Sequence, residues 1–208
     1  MINIKNVNFI TSAASPSGFV RGGGLQIAVA GKSNVGKSSF INMLVNRNGA
    51  ARVSGTPGRT RLINYFSVDT NAGGFVLTDL PGYGFARVSK EEKEGWGRLV
   101  ESYFDTTENA VIFVLVDIRH LPSADDVKLI EYLYYKAVPF YIVANKSDKQ
   151  SRQANMKSKR EIAAALKIGI DDIILVSCLN KAGREDVLNK IEELIAANGE
   201  RERTDTAE

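Results

Sequence analysis

The chain has 208 residues, 44% of them apolar and 25% charged, the balance of a soluble globular protein of about one α/β domain, which excludes a disordered or fibrous chain. No apolar run approaches the roughly 18–20 residues that span a bilayer, the first residues show no signal-peptide pattern, and the single cysteine, Cys178, has no partner for an internal disulfide and no Cys/His cluster for zinc; a cytoplasmic protein without membrane attachment is the expectation. The net charge of +3 hides an asymmetry: residues 1–68 carry eight basic residues (Lys5, Arg21, Lys32, Lys37, Arg47, Arg52, Arg59 and Arg61) and no Asp or Glu, against 19 basic and 24 acidic residues in the other 140. Such a front half suits a polyanion, either a nucleotide alone or a nucleotide together with nucleic acid.

Residues 1–24 read as an N-terminal extension. Leu25–Ala30 is short, apolar and stopped by Gly31, the pattern of a buried strand. A helix follows from Lys37 to about Val45. Leu62–Val68 and Gly74–Asp79 read as two strands joined by the turn at Asn71-Ala-Gly-Gly74. Val111–Val116 is uniformly apolar, as a central strand covered on both faces should be, and Phe140–Ala144 and Ile173–Val176 repeat that pattern. Between them lie helical periodicities: Val127, Ile130, Leu133 and Tyr134; then Ile162, Ala165 and Leu166; then Val187, Leu188, Ile191, Leu194 and Ile195. The alternation predicts an α/β fold, a mostly parallel central sheet with helices on both faces, over residues 25–197. The polar stretch 198–208 is expected to fray.

The loop after the first of these strands, Gly31, Lys32, Ser33, Asn34, Val35, Gly36, Lys37 and Ser38, satisfies G-x-x-x-x-G-K-[ST] between a strand and a helix. Its glycines let the backbone wrap phosphates, and its N–H groups with the helix N-terminus face the negative charge. Lys37 is the candidate for the β- and γ-phosphates, Ser38 for Mg²⁺, and Ser39 for the neighbourhood of the α-phosphate. This motif alone leaves the base open. Asn145, Lys146, Ser147 and Asp148 follow a later strand, and a carboxylate at Asp148 accepts from both N1–H and the N2 amino group of guanine, a donor pair that adenine lacks. Asn145 is the candidate for guanine N7, and the Lys146 stem for the base plane. Val176, Ser177 and Cys178 end the last strand, where backbone N–H groups can meet guanine O6 with Ser177 bracing the loop; a reactive thiol is the lesser reading of Cys178.

Asp79, Leu80, Pro81 and Gly82 form D-x-x-G at another strand end, with Asp79 as a candidate Mg²⁺ group and the Gly82 N–H as a γ-phosphate sensor. Upstream, Gly58, Arg59 and Thr60 belong to a Gly- and Pro-rich stretch suited to a switch that orders around one phosphate. Thr60 is the candidate hydroxyl for Mg²⁺ and the γ-phosphate, and Thr56 is its rival.

Together Gly31–Asn42, Thr56–Thr60, Asp79-Leu-Pro-Gly-Tyr-Gly84 and Asp117-Ile-Arg-His-Leu-Pro122 resemble the EngB (YihA/YsxC) family of bacterial GTPases, of the TRAFAC class and the TrmE-Era-EngA-EngB-septin-like superfamily. The resemblance covers about residues 25–180. It implies a Ras-like P-loop GTPase fold and a Mg²⁺-dependent, monomeric GTP-hydrolysing protein. It also implies a role in assembling the large ribosomal subunit, whose RNA and proteins would be its partners, and in normal cell division and septation. A GTP-sensing interaction protein in septation, with incidental hydrolysis, is the alternative. Cys178 and Asn145 are the two small departures from the pattern.

Tyr83 stands where Ras-type enzymes carry the Gln that orients the attacking water, so intrinsic hydrolysis should be slow, at or below the roughly 10⁻⁴ s⁻¹ scale of unassisted Ras. Lys37, Thr60 and Asn34 are the candidates for catalytic assistance. Related GTPases use an Asn at the position of Asn34 to hold a potassium ion beside the phosphates; an Asn tolerated in a tight loop for its conformational ease is the equally weighted reading. Arg59 or Arg61 as an internal arginine finger is the weaker idea. For His120, a structural or partner contact outweighs a catalytic base, and Trp96 and Tyr103 read as core or a partner-facing patch.

Overall fold

The computed structural model describes residues 2–22, 24–47, 49, 62–84 and 90–205, with the backbone alone described for 90–94 and 201–205. Seven strands, β1 (Ile4–Ala13), β2 (Gln26–Gly31), β3 (Ile63–Thr70), β4 (Gly74–Asp79), β5 (Ala110–Asp117), β6 (Phe140–Asn145) and β7 (Ile173–Leu175), form one sheet in the order β1-β3-β4-β2-β5-β6-β7. β1, β3 and β4 pair antiparallel, and the ladders from β4 through β2, β5 and β6 to β7 are parallel. The helices are α1 (Lys37–Leu44), α2 (Lys90–Thr106), α3 (Ala124–Tyr135), α4 (Arg152–Leu166) and α5 (Arg184–Asp205).

The central strands read as continuous apolar runs because both their faces are covered: every residue of β2 is buried, as is every residue of β5 except its last, Asp117. On one face α1 and α5 close over Ile27, Val29, Phe113 and Leu115. On the other, α2, α3 and α4 close over Ala28, Ile112, Val114 and Ile142. Successive residues of one strand thus supply two separate cores, the direct consequence of the pleat. The predicted fold class is the observed one.

Three expectations need correction. The N-terminal extension contributes β1, an edge strand ten residues long paired with β3, which the sequence reading did not place because its burial is irregular and only Ala13 is fully covered. The polar tail does not fray at Asn198: α5 continues to Asp205, since a run of Glu and Arg is compatible with helix even without a core to cover. On α3 and α4 the apolar stripes are rotated slightly. Leu129 is buried and Tyr134 is 56% exposed, and on α4 Ala163 is buried while Ala165 faces outward.

Strand order reverses about β2, whose neighbours β4 and β5 lie on either side. Ligands of open α/β sheets bind outside the carboxyl ends of strands at such a switch point. The loops after β2, β4, β6 and β7 all leave from that end.

Candidate functional site

Gly36 makes the turn from β2 into α1. Its φ of 103° is left-handed, and a Cβ there would lie 2.5 Å from Asn145 Nδ2, so glycine is required both by conformation and by the approach of the second loop. α1 begins directly at Lys37 with no acidic residue in its first turn and no side-chain cap. Its first N–H groups therefore have no carboxylate competing for them, the arrangement that receives an anion.

Lys37 Nζ contacts the Asp79 carboxylate, bringing the phosphate-loop lysine and the D-x-x-G aspartate to one point. The two loops are also stitched through their main chains: the Ser33 N–H donates to the Tyr83 carbonyl at 2.9 Å, the Ser33 hydroxyl donates to the same oxygen at 3.0 Å, and Lys32 and Tyr83 form a parallel bridge. Asp79 is 5% exposed, so its charge is held by Lys37 rather than by bulk water.

The base-side loops are laced to the phosphate loop in turn. Asn145 is 2% exposed; its Nδ2 donates to the Val35 carbonyl at 3.0 Å, and its Oδ1 accepts from the Lys146 N–H at 2.7 Å and lies 3.2 Å from Cys178 Sγ. The sequence reading assigned Asn145 to a ligand atom and missed this bracing work, for which the signal is its burial at the end of a central strand. Lys146 adopts φ 67°, and its Nζ reaches the Asn34 carbonyl at 3.1 Å. Ser177 braces the third loop as expected, donating its hydroxyl to Asp148 Oδ1 at 2.7 Å. That bond, with Lys149 beyond it, holds the Asp148 carboxyl below its ordinary value and so in the charged form. The Ser147 N–H donates to the Val176 carbonyl at 3.0 Å, so β7 directly supports the loop after β6.

Two further residues belong to this framework. Gly183 closes the loop after β7 with φ 74°, and a Cβ there would stand 1.9 Å from the Leu175 carbonyl oxygen. Asp117, at the end of β5, accepts from Arg119 Nε at 2.8 Å and Nη2 at 2.7 Å, and its Oδ2 lies 2.8 Å from Lys146 Nζ. Asp117 thus bonds both its own loop and the following arginine. The loop bond comes from the Arg119 N–H at 3.2 Å, and the Lys146 contact is the part not foreseen. Burial raises the Asp117 pKa, but Arg119 and Lys146 outweigh it and hold the carboxyl well below the usual carboxylate range.

Tyr83, the residue in the Gln position, turns away from the loops. Its ring is 6% exposed and packs edge-on against Trp96 at 5.2 Å between centroids, and its hydroxyl donates to Asp126 Oδ1 at 2.6 Å. Burial, then the Asp126 charge, push the phenol well above its ordinary pKa, so it is a neutral donor. Trp96 joins through Nε1 to the Pro81 carbonyl at 2.7 Å, whereas Tyr103 is fully buried core. Burial pushes the Cys178 thiol up to about 11, against the pull of Asn145, which removes the reactive-thiolate reading at neutral pH. His120 is exposed and borders a cavity of about 240 Å³ between the phosphate loop and the start of α3. Asn34 has φ 66°, a conformation Asn adopts more readily than most residues, which supplies the conformational reason for its presence. Gly58, Arg59, Thr60 and the rival Thr56, with Arg52 and Arg61, lie outside the described residues.

A metal fits this donor set. Among the described residues no group of three His, Cys, Asp or Glu side chains gathers in one place, but Mg²⁺ at a nucleotide needs only one or two protein oxygens beside phosphates and water. Ser38, at the start of α1, and Asp79 are such oxygens.

The comparisons agree with this geometry. The family model described as "50S ribosome-binding GTPase" matches residues 26–146. The chain is 44% identical over 200 residues to a probable GTP-binding protein EngB of Pelotomaculum thermopropionicum, covering 95% of this chain and all of the relative. It is 45% identical over 194 residues to a Streptococcus pneumoniae protein of the same name, covering 91% and 97%. Among solved structures, a probable GTP-binding protein engB superposes with a TM-score of 0.66 at 26% identity, over 83% of this chain and 99% of that one. A point variant of Aquifex aeolicus Era bound to GDP·AlF4⁻ superposes with a TM-score of 0.68 at 21% identity, over 81% and 56%, a likeness of fold. The loops that the sheet gathers at its switch point are therefore those of a GTP-binding GTPase, and the chain belongs to the EngB family.

Proposed function

We propose that this GTPase acts in the cytoplasm on the assembling large ribosomal subunit, with slow, Mg²⁺-dependent hydrolysis, and that normal cell division and septation depend on it. The observation that carries the nucleotide part is the junction of Asp148, Ser177, Asn145 and Lys146 with the phosphate loop, since it couples a guanine-selective carboxylate to the phosphate cradle through direct bonds. Lys37 binds the β- and γ-phosphates. Ser38 and Asp79 would hold Mg²⁺, with Thr60 joining them in the triphosphate state, and the ion would supply positive charge against the phosphates. The loop residues Gly31 to Ser39, with Gly58 to Thr60 and Asp79 to Gly82, enclose the phosphates. Asn145 to Asp148 and Val176 to Cys178 enclose the base.

Slow hydrolysis follows from Tyr83. With its hydroxyl bonded to Asp126, this side chain orients no water, and no carboxamide occupies its place. A potassium ion held by the Asn34 side chain is a further source of positive charge, and its test is a rate that rises in KCl but not in NaCl. The ribosomal part is supported by the match to a family of ribosome-binding GTPases and by the acid-free first 68 residues. Sedimentation of the GTP- and GDP-loaded protein with purified large subunits tests it. Association in GTP that weakens at least tenfold in GDP is expected; equal or absent association in both states would contradict the reading.

A further inference from the structure

The Phe9 surface has no part in the nucleotide site. Phe9 is 60% exposed and Ile10 43%, both on β1, which among the described residues pairs on its β3 side alone. Long apolar edge strands are normally blunted by charge or by bulges, and β1 has both: its register slips between Ile4 and Asn6 and between Phe9 and Thr11, leaving Lys5 and Ile10 without cross-strand partners. Phe9 itself is neither withdrawn nor blunted. It lies opposite Phe66, with the two rings edge-on at 5.7 Å, so one aromatic is fixed beneath and the other is presented to solvent. Val7 and Phe9 share the sheet face of Val68 and Phe66.

Two cations stand along the same strand. No acidic residue precedes Asp69, which lies opposite Asn6 and alternates with Val68 onto the other face of β3. Arg47 donates to the Val7 carbonyl at 3.0 Å, which places its guanidinium two residues along from Phe9, and exposed Lys5 stands at the bulge beyond. Arg47 and Leu62 also bracket in sequence the segment that contains Thr60. An exposed aromatic ring flanked along its strand by cations is an arrangement that stacks an unpaired base and tracks its backbone.

We infer that β1 is an RNA-binding platform on which an unpaired base stacks against Phe9 while Lys5 and Arg47 meet the flanking phosphates. This rests on the ribosomal reading for its biological partner, but the contact can be measured without it. The probes are purified large subunits and a fluorescein-labelled 12-nucleotide uridine oligomer, titrated at several KCl concentrations with the GTP-loaded protein.

Stacking and phosphate contact leave different signatures. Phe9→Leu keeps an apolar group over Phe66 but removes the π face, so affinity for the oligomer should fall about 5-fold or more with the salt slope unchanged. Phe9→Trp should restore it. Lys5→Ala should flatten the log–log salt slope by up to about one unit. GTP affinity should be unchanged in all three. Oligomer binding equal in wild type and Phe9→Leu overturns the platform, even if subunits still bind, and leaves the ribosomal reading standing. Phe9-dependent oligomer binding without any subunit association supports the platform and removes the ribosomal reading. Subunit binding that depends on Phe9 while the oligomer does not bind assigns the surface to a protein partner and overturns the RNA version.

Discussion

At the residue scale, the site works through side chains that hold other side chains. Asp117 illustrates this. Its carboxylate grips Lys146 at 2.8 Å, and Lys146 spans from there to the Asn34 carbonyl. Removing the carboxylate frees the ammonium, and on the proposed function that ammonium fixes the Lys146 stem over the base. Since the pair is partly exposed, its coupling is set at about 1 kcal/mol rather than the value for a buried charge-assisted bond. Asp117→Ala should therefore speed GDP dissociation about fivefold, and Asp117→Asn, which keeps an acceptor, should recover part of that; stopped-flow release with a fluorescent GDP measures it. Identical release from wild type and Asp117→Ala would remove the relay. The pH dependence follows from the same charges. Asp117 and Asp148 both have lowered pKa values in the folded protein, so the stabilisation they give is fully present above their unfolded values and is lost only as pH falls through the depressed folded ones. GTP affinity should thus be flat between pH 7 and pH 5 as far as these two groups are concerned.

At the scale of elements, the loop after β4 is pinned at Tyr83. Tyr83 reaches α3 through Asp126, whose other oxygen accepts from the Ser123 N–H and hydroxyl at 2.7 and 2.6 Å in a capping box. Trp96 of α2 closes on the same tyrosine and on Pro81. Tyr83→Phe keeps the ring contact but leaves one buried Asp126 oxygen without its donor, at a cost of about 1–3 kcal/mol, readable by urea unfolding. Because the phenol faces α3, the GTP hydrolysis rate should stay within about twofold of wild type. A loss of hydrolysis far exceeding the loss of stability would mean that the hydroxyl acts in the reaction. The opposite sheet face is tied in a comparable way. Arg184, the first residue of α5, donates to the carbonyls of Met43 and Leu44 and so satisfies the open end of α1.

At the scale of the whole molecule, the fold was legible where covalent periodicity and burial agree. The uniformly apolar β5 and the glycine-bounded β2 announce a doubly covered parallel sheet, and the phosphate, D-x-x-G and base motifs each fall at a strand end. β1 was illegible because two bulges break the alternation that identifies a strand, and because pairing with β3 spans about fifty residues or more of sequence. Within the candidate site, residue types and spacing singled out Lys37, Asp79, Asp148 and Ser177, which the fold joins in two pairs, Lys37 with Asp79 and Ser177 with Asp148. The bracing roles of Asn145, Asp117 and Gly183 were not legible, since each depends on which loop another strand brings alongside. On the proposed function, these loops act as one guanine site through Asp148. Isothermal titration of GTP and XTP into wild type and Asp148→Asn tests it most directly. Exchange of the carboxylate for an amide should weaken GTP by at least about 100-fold, on the order of 3 kcal/mol for an unpaired charged hydrogen-bond set, and should strengthen XTP, whose C2 carbonyl, in place of the guanine amino group, accepts from the new amide. Unchanged GTP binding with no gain for XTP would contradict the account.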